Sequence, residues 1–383
     1  MKIMVPEYYK DFSCIGGECI DTCCAGWEVD VDKKSSAYYK SVEGTFGDKL
    51  RSMLVDYPVE DRFILQEHGR CPFLNAANLC DIYTELGEDK LCETCTNFPR
   101  HITEFGSTRE IGISLSCPVA AELIMKKTEP ISFTVSENDE KISGYNDIDA
   151  SLYFELCQAR DAAYGICQDR SMGIKYRAAL LLDFSFALQK KLKKRKCGDV
   201  TAHYKDKKYL AQRIDVLEKK YSGYKKTQQM LKEWLKVYNG LEHIKPEWTD
   251  ILSKLDAFVS GGITNIDVTA KAVNERGYEY EHLLVYYVYR YFLNAVNDSE
   301  ILLKAKIGVI GYLILKHLDM QCWLENGKTL TFTQQVDLAH LYSRQFEHSY
   351  TNFEVYNGYF KTKRRYAWSR LMEYLGTGCP DTQ

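Results

Sequence analysis

The sequence predicts a mostly α-helical protein in which a cysteine-rich, metal-binding N-terminal module of short helices and loops packs on a multi-helix bundle. Three observations carry that expectation. Nine of the 14 cysteines fall before residue 118. Beyond about residue 148, apolar residues recur every three or four positions, the period of a helix with one buried face. The chain shows no internal repeat and no alternating strand–helix pattern, which argues against a solenoid or a parallel-sheet fold.

At 383 residues the chain is about twice a typical domain, so more than one structural unit is expected. With 45% hydrophobic and 27% charged residues it reads as globular. The 50 basic and 53 acidic residues leave a net charge of −3. A nucleic-acid binder carries a basic excess or stripe; the one basic run, Lys190 to Lys196, reads as the solvated end of a helix, and nucleic acid is not an expected partner. Met1 to Pro6 lacks the apolar core of a secretory signal. The apolar stretch Ile307 to Leu315 is short of the about 20 residues that span a bilayer. No membrane association is expected, and the chain is placed in the cytoplasm. Thiols stay reduced there, and clustered cysteines indicate metal or catalysis instead of disulfides.

In chain order, residues 1–127 form the expected cysteine-cluster module. Residues 128–147, with Ile131, Phe133 and Val135 in a β-like stretch, read as a linker or small hairpin. Residues 148–383 form the helical substrate and cosubstrate domain. Within it Leu180, Leu181, Phe184, Ala187 and Leu188 line one face, and Tyr209 to Tyr238 alternates charged stretches with apolar residues. Glu279 to Val296, Ser299 to Leu318 and Thr333 to His348 continue the helical period, and the short break at Asn297-Asp298-Ser299 carries an N-cap for the second of these. Cys157, Cys167, Cys197, Cys322 and Cys379 stand singly and read as packing or surface residues.

The N-terminal cysteines read Cys14-x4-Cys19-x3-Cys23-Cys24, then Cys71-Pro72, Cys80, Cys92-x2-Cys95, and Cys117-Pro118. A metal needs several thiolates converging on one ion or on the irons of one cluster. Short loops with Gly and Pro bring sulfurs together at low entropic cost. The spacings match neither the paired knuckles of a zinc ribbon nor the Cys-x3-Cys-x2-Cys of the usual radical enzymes, since Gly26 stands where the third cysteine would complete it. An iron–sulfur cluster is expected, with zinc as the alternative. His68 and His101 lie near enough in sequence to serve as a ligand but read as surface or supporting residues.

Taken together, these motifs resemble the flagellin lysine N-methylase (FliB-like) family, whose members carry a zinc- or iron-chelating cysteine-cluster domain. The matching elements are the first cysteine cluster with Ala25-Gly26-Trp27, Cys71-Pro72-Phe73-Leu74, Leu79-Cys80-x-Ile82 and Leu86-Gly87-Glu88. They continue with Cys95-x2-Phe98-Pro99-Arg100, Leu115-Ser116-Cys117-Pro118, Tyr286-Tyr287-Val288-Tyr289-Arg290 and Ser343-Arg344-x2-Glu347-His348. The resemblance implies methyl transfer from S-adenosylmethionine to the ε-amines of flagellin lysines, dependent on a [4Fe-4S] cluster. On the same analogy Cys14, Cys19, Cys23, Cys24, Cys71, Cys80, Cys95 and Cys117 are the metal positions. Cys92 departs from the pattern and reads as a bystander. Eight thiols exceed the four that one cluster takes, so either some are structural or there are two sites.

A free lysine is protonated at pH 7, so a methylating site must desolvate the ammonium or offer a base, and must align the amine with the methyl. Glu347 and His348 are the catalytic candidates. Arg290 and Arg344 are the candidates to hold the carboxylate of S-adenosylmethionine. A helix-face polar network that supports the cysteine cap is the competing reading of Arg344, Glu347 and His348. Tyr286, Tyr287, Tyr289 and Tyr291 read as a packed face rather than a cage for a methylammonium. No Gly-x-Gly-x-x-Gly turn is present, so S-adenosylmethionine would be bound unconventionally, at the cluster. Two rivals stand beside the enzyme: a non-catalytic zinc- or iron-binding protein, and a structural metal module that docks a protein partner.

Overall fold

The computed structural model describes residues 1–141, 148–221, 227–261 and 276–376; Cys379 lies outside them. The small lobe begins with helices α1 (Lys33–Ser41) and α2 (Gly44–Ser52), and continues with α3 (Asp81–Leu86) and α4 (Glu93–Asn97). A three-stranded sheet, in the order β2 (Asp30–Val31), β4 (Asp61–Phe63) and β3 (Leu54–Val55), completes it. Tyr39, Leu50, Phe63, Phe73 and Ile82 form its core together with Cys71 and Cys92. The Asp32 carboxylate caps α1 through the Ser35 N–H and also accepts the Glu93 N–H at 3.0 Å, which ties α1 to α4.

A second sheet was not legible in the sequence. Its order is β5 (Arg100–Phe105), β6 (Thr108–Ile113), β1 (Lys2–Pro6) and β7 (Phe133–Glu137). Gly106, at φ 59, opens the two-residue turn between β5 and β6, a backbone that favours glycine. Strand β1 runs parallel to β6, while β7, in the stretch expected to form a linker or small hairpin, pairs antiparallel with β1. This sheet packs on the large helical core through Phe105 and Ile113, and Leu115, just beyond β6, joins the same core. Helix α5 (Pro118–Lys126) buries Ala120, Ala121, Ile124 and Met125 in the same core.

The helical part follows the expected period. It comprises α6 (Ala150–Gln168), α7 (Ile174–Leu192), α8 (Gly198–Lys205), α9 (Lys207–Tyr221), α10 (Thr227–Asn239) and α11 (Pro246–Ser260). Beyond these come α12 (Gly277–Tyr291), α13 (Ile301–Glu325), α14 (Phe332–Glu347), α15 (Tyr350–Thr362) and α16 (Trp368–Gly376). Helix α13 is apolar nearly all round, as suits a central helix, and contacts α7, α11, α12, α14 and α15. Gly308 allows its close approach to α12, because a Cβ there would meet the Tyr287 Cβ at 2.8 Å. None of the helices among the described residues is long and apolar enough to cross a membrane.

In the break at Asn297-Asp298-Ser299 the Asp298 carboxylate accepts the Glu300 N–H at 2.9 Å, while Ser299 is left-handed at φ 56 and ends the short helix Ala295–Asp298. The basic run does lie at a helix end, with Lys190 and Lys191 in the last turn of α7 and Arg195 paired with Asp149.

One buried group in α13 makes stability pH-dependent. The His317 Nδ1 faces the Leu313 carbonyl at 2.6 Å, and its Nε2 faces the Tyr374 hydroxyl at 2.8 Å. Burial holds this imidazole down at about 4, below the ~6.5 of an exposed histidine. The unfolded chain therefore binds the proton first. The stabilisation is fully present above pH ~6.5 and is lost as pH falls toward 4, by about 3 kcal/mol. His317→Gln is expected to flatten that share of the slope in urea unfolding series run between pH 7 and 4.

Candidate functional site

The loop carrying Cys14, Cys19, Cys23 and Cys24 is held by α14. Arg344, only 1% exposed, lies 2.8 Å from the Asp21 carboxylate, donates to the Thr22 carbonyl at 2.7 Å, and also bonds the Ala25 carbonyl. Its guanidinium stacks over Trp27 at 4.2 Å. Asp21 is also met by His340 at 2.8 Å and Lys245 at 2.6 Å. Burial opposes its charge, but His340, Arg344 and Lys245 together hold its carboxyl at about 2. Gly26, at φ +96, donates its N–H to the Gly69 carbonyl at 3.0 Å, and the Cys71 N–H reaches the Cys24 carbonyl at 2.8 Å. These bonds bind the first cysteine loop to the second.

Beside this clamp lies a second network. The Glu347 carboxylate accepts from Ser343 at 2.6 Å, Tyr291 at 2.7 Å and Tyr286 at 2.9 Å. Arg290 pairs with it at 3.0 Å. His348 ends α14, with Nε2 at 2.5 Å from Ser116 and 3.3 Å from Ser114. Its ring stacks on Trp27 at 4.9 Å and meets the edge of Phe98 at 5.4 Å. Burial, with Arg290, Arg344 and His340 nearby, holds this imidazole down at about 3, so it is neutral at pH 7.

The geometry separates the two arginine candidates. The Arg344 fork is taken up by the Asp21 carboxylate and the loop carbonyls and is sealed from solvent. Arg290 keeps 13% of its side chain open. All four tyrosines of α12 named above are buried; Tyr286 and Tyr291 serve Glu347, and Tyr289 donates to the Met4 carbonyl at 2.8 Å. His68 is exposed in a left-handed turn, whereas His101 lies against Tyr286 and Tyr289 with a buried Nε2 that has no hydrogen-bond partner.

All the described cysteines are free thiols. Cys80, Cys92 and Cys117 occupy the N-cap positions of α3, α4 and α5, where free N–H groups and the helix dipole favour a thiolate. Burial nevertheless pushes the Cys117 thiol up to about 11 and raises that of Cys80; the N–H groups of Ala120 and Val119, and of Tyr83 and Ile82, offset only part of this. Cys92 and Cys95 hydrogen-bond each other, as do Cys23 and Cys24. Among the described residues, no three His, Cys, Asp or Glu side chains are gathered tightly enough to hold a single metal ion.

Asp21, His340, Lys245, Trp27, Ser114 and Ser116 were not singled out from sequence. For His340 a signal existed: it lies one helical turn before Arg344, on the same face of α14. Asp21 meets it from 319 residues away, a proximity that no local pattern reports.

Residues 160–372 match the model of the FliB lysine N-methylase C-terminal domain. The chain belongs to the FliB lysine N-methylase family. Among curated proteins it is similar to the lysine-N-methylases of Salmonella typhimurium and Salmonella choleraesuis, at 28% identity over 145 residues, 34% of either chain. The chain thus spans about a third of the length of these relatives. It is also similar to the flagellar biosynthetic protein FliU of Salmonella muenchen, at 27% identity over 177 residues, 42% of this chain and 94% of that one. No solved structure gives a significant match. In this FliB-family chain the matched domain supplies Arg290, His340, Arg344, Glu347 and His348, while all the N-terminal cysteines lie before it.

Proposed function

We propose that this chain is an S-adenosylmethionine-dependent protein lysine N-methyltransferase of the cytoplasm that acts on surface lysines of flagellin and depends on an iron–sulfur cluster. One observation carries the reading. Arg344 and His340, from the family-matched domain, grip Asp21 within the cysteine loop, so that loop lies directly beside Glu347 and His348. Relatives named as lysine-N-methylases and as a flagellar biosynthetic protein support the reaction and the substrate class.

The donor set suits a cluster. Thiolates are the ligands that iron–sulfur clusters take, and several cysteines cap helices. Cys19 and Cys23 lie within electrostatic reach of Arg344, which offsets the negative charge of ligated sulfur. When bound, the cluster would supply a Lewis-acidic iron centre for the cosubstrate. Everything else falls to the chain. The apolar wall of Trp27, Phe98 and neutral His348 disfavours an ammonium by desolvation, which lowers the pKa of an entering lysine. His348, with Ser116 and Ser114 behind it, orients the neutral amine. Glu347 holds Arg290 at 3.0 Å, and Arg290 is the cation that would bind the carboxylate of S-adenosylmethionine.

The reading is tested by anaerobic purification with ultraviolet–visible and electron paramagnetic resonance spectra, before and after adding S-adenosylmethionine. An iron–sulfur spectrum that shifts on addition is the expected result, and in Arg290→Gln the shift should need more cosubstrate. Stoichiometric zinc with no chromophore would remove the cluster from the account.

A further inference from the structure

Strand β5 is an edge of the four-stranded sheet, and it leads into the candidate site. The turn at Gly106 and Ser107 makes Phe105 and Thr108 the closing pair of the β5–β6 hairpin. Hydrogen-bonded pairs alternate along an antiparallel ladder, so Phe105, Thr103 and His101 turn their backbone groups to β6. Pro99 does the same, its carbonyl accepting the Ser114 N–H at 2.8 Å. Arg100, Ile102 and Glu104 turn theirs the other way. Among the described residues no strand lies on that side, and these N–H and C=O groups have no backbone partner.

The inner face of β5 is committed to the fold, with His101 against Tyr286 and Tyr289 and Phe105 in the large core. On the outer face Arg100 bonds Tyr9 and Glu104 pairs with Arg109, while Ile102 stays 46% exposed. The pairing runs from Arg100 to Phe105 without a bulge, and no proline interrupts it, so the devices that shield an exposed edge are missing. Such an edge accepts an added strand, whose backbone supplies affinity while alternate side chains fall to either face.

Both strands of the hairpin run out at the site. Phe98, just before β5, forms a wall with His348, and Ser114 and Ser116, just after β6, meet the His348 Nε2. A strand laid on β5 would lie about 4.8 Å from it, and Arg100 is roughly 7 Å of strand from Phe98, a span comparable with an extended lysine side chain. The other edge, β7, lies on the far side of β6 and β1.

We propose that the free edge of β5 binds an extended segment of the protein substrate as a fifth strand and so delivers its lysine past Phe98 to His348. Recognition then rests largely on the substrate backbone, and Ile102 sets a preference for an apolar neighbour. This inference rests on the methylation of flagellin lysines proposed above.

The test is steady-state methylation of flagellin by Ile102→Pro, Ile102→Thr and Val135→Pro. Proline is tolerated where an edge N–H points outward. Val135 is such a position on β7, because Asn138 and Ser132 bond toward the β1 side. Ile102→Pro should raise the KM for flagellin about tenfold, the scale of one lost hydrogen bond, with kcat and the KM for S-adenosylmethionine near wild type. Val135→Pro should leave all three unchanged, and Ile102→Thr, which keeps the N–H, should raise the flagellin KM far less. If Ile102→Pro fails to fold, binding to wild type decides: a short flagellin peptide with alternate backbone amides N-methylated should bind about tenfold more weakly than its parent. An unchanged flagellin KM in Ile102→Pro, or equal binding of the two peptides, would overturn the strand edge and leave methyl transfer standing. A wild-type dimer that Ile102→Pro converts to a monomer would assign the edge to a second copy and overturn it likewise. Flagellin left unmethylated by wild type would remove the methylase reading and this inference together.

Discussion

Arg344→Ala is expected to destabilise the protein by about 3–5 kcal/mol, the cost of removing one partner of a buried ion pair. The guanidinium is 1% exposed and joins α14 to the Asp21 carboxylate and to three carbonyls of the cysteine loop. Its loss leaves those acceptors buried with fewer donors and takes the cation from the Trp27 face. Against a total of roughly 5–15 kcal/mol, that is a large share of stability. Arg344→Lys should recover only part of it, because a point charge cannot address several divergent carbonyls as the planar fork does. Denaturant midpoints of the two variants against wild type check the prediction. An alanine variant within 1 kcal/mol of wild type would mean that the clamp does not hold the loop.

His348→Ala is expected to lower methyl transfer by about 10²-fold or more. The ring forms one wall with Trp27 and Phe98, and its Nε2 lies against Ser116 and Ser114. Removing it admits water to the place where an amine must be desolvated and takes away the group that aligns it. Phe98→Leu, which keeps an apolar wall, should lose much less. Single-turnover rates with saturating S-adenosylmethionine separate this effect from cosubstrate binding. Equal losses in His348→Ala and Phe98→Leu would argue that only packing is at stake.

The helical architecture was legible because its signal is local: α7, α12 and α14 repeat apolar residues at helical spacing, and the cysteine spacings mark the small lobe. The four-stranded sheet was hidden. Its parallel pairing of Lys2 with Thr108 joins residues about a hundred positions apart, and Arg100–Phe105 reads as loop when surrounded by cysteines. The site was legible in pieces. Ser343, Arg344, Glu347 and His348 share a helical face, so their grouping follows from sequence; the closure of Arg290 on Glu347 and of Arg344 on Asp21 depends on how separate elements pack. That packing buries Arg344 against the cysteine loop and pairs Arg290, 13% exposed, with Glu347. In the break at Asn297-Asp298-Ser299 it is Asp298 that supplies the acceptor, for the Glu300 N–H, while Ser299 turns left-handed.

The most direct test of the account is mass spectrometry of flagellin from the same source after anaerobic incubation with the metal-loaded chain and S-adenosylmethionine carrying a deuterated methyl group. The account predicts labelled methyl on lysine ε-amines, dependent on the loaded metal and sharply reduced with His348→Ala. Flagellin that stays unlabelled in the presence of a fully loaded chain would contradict it.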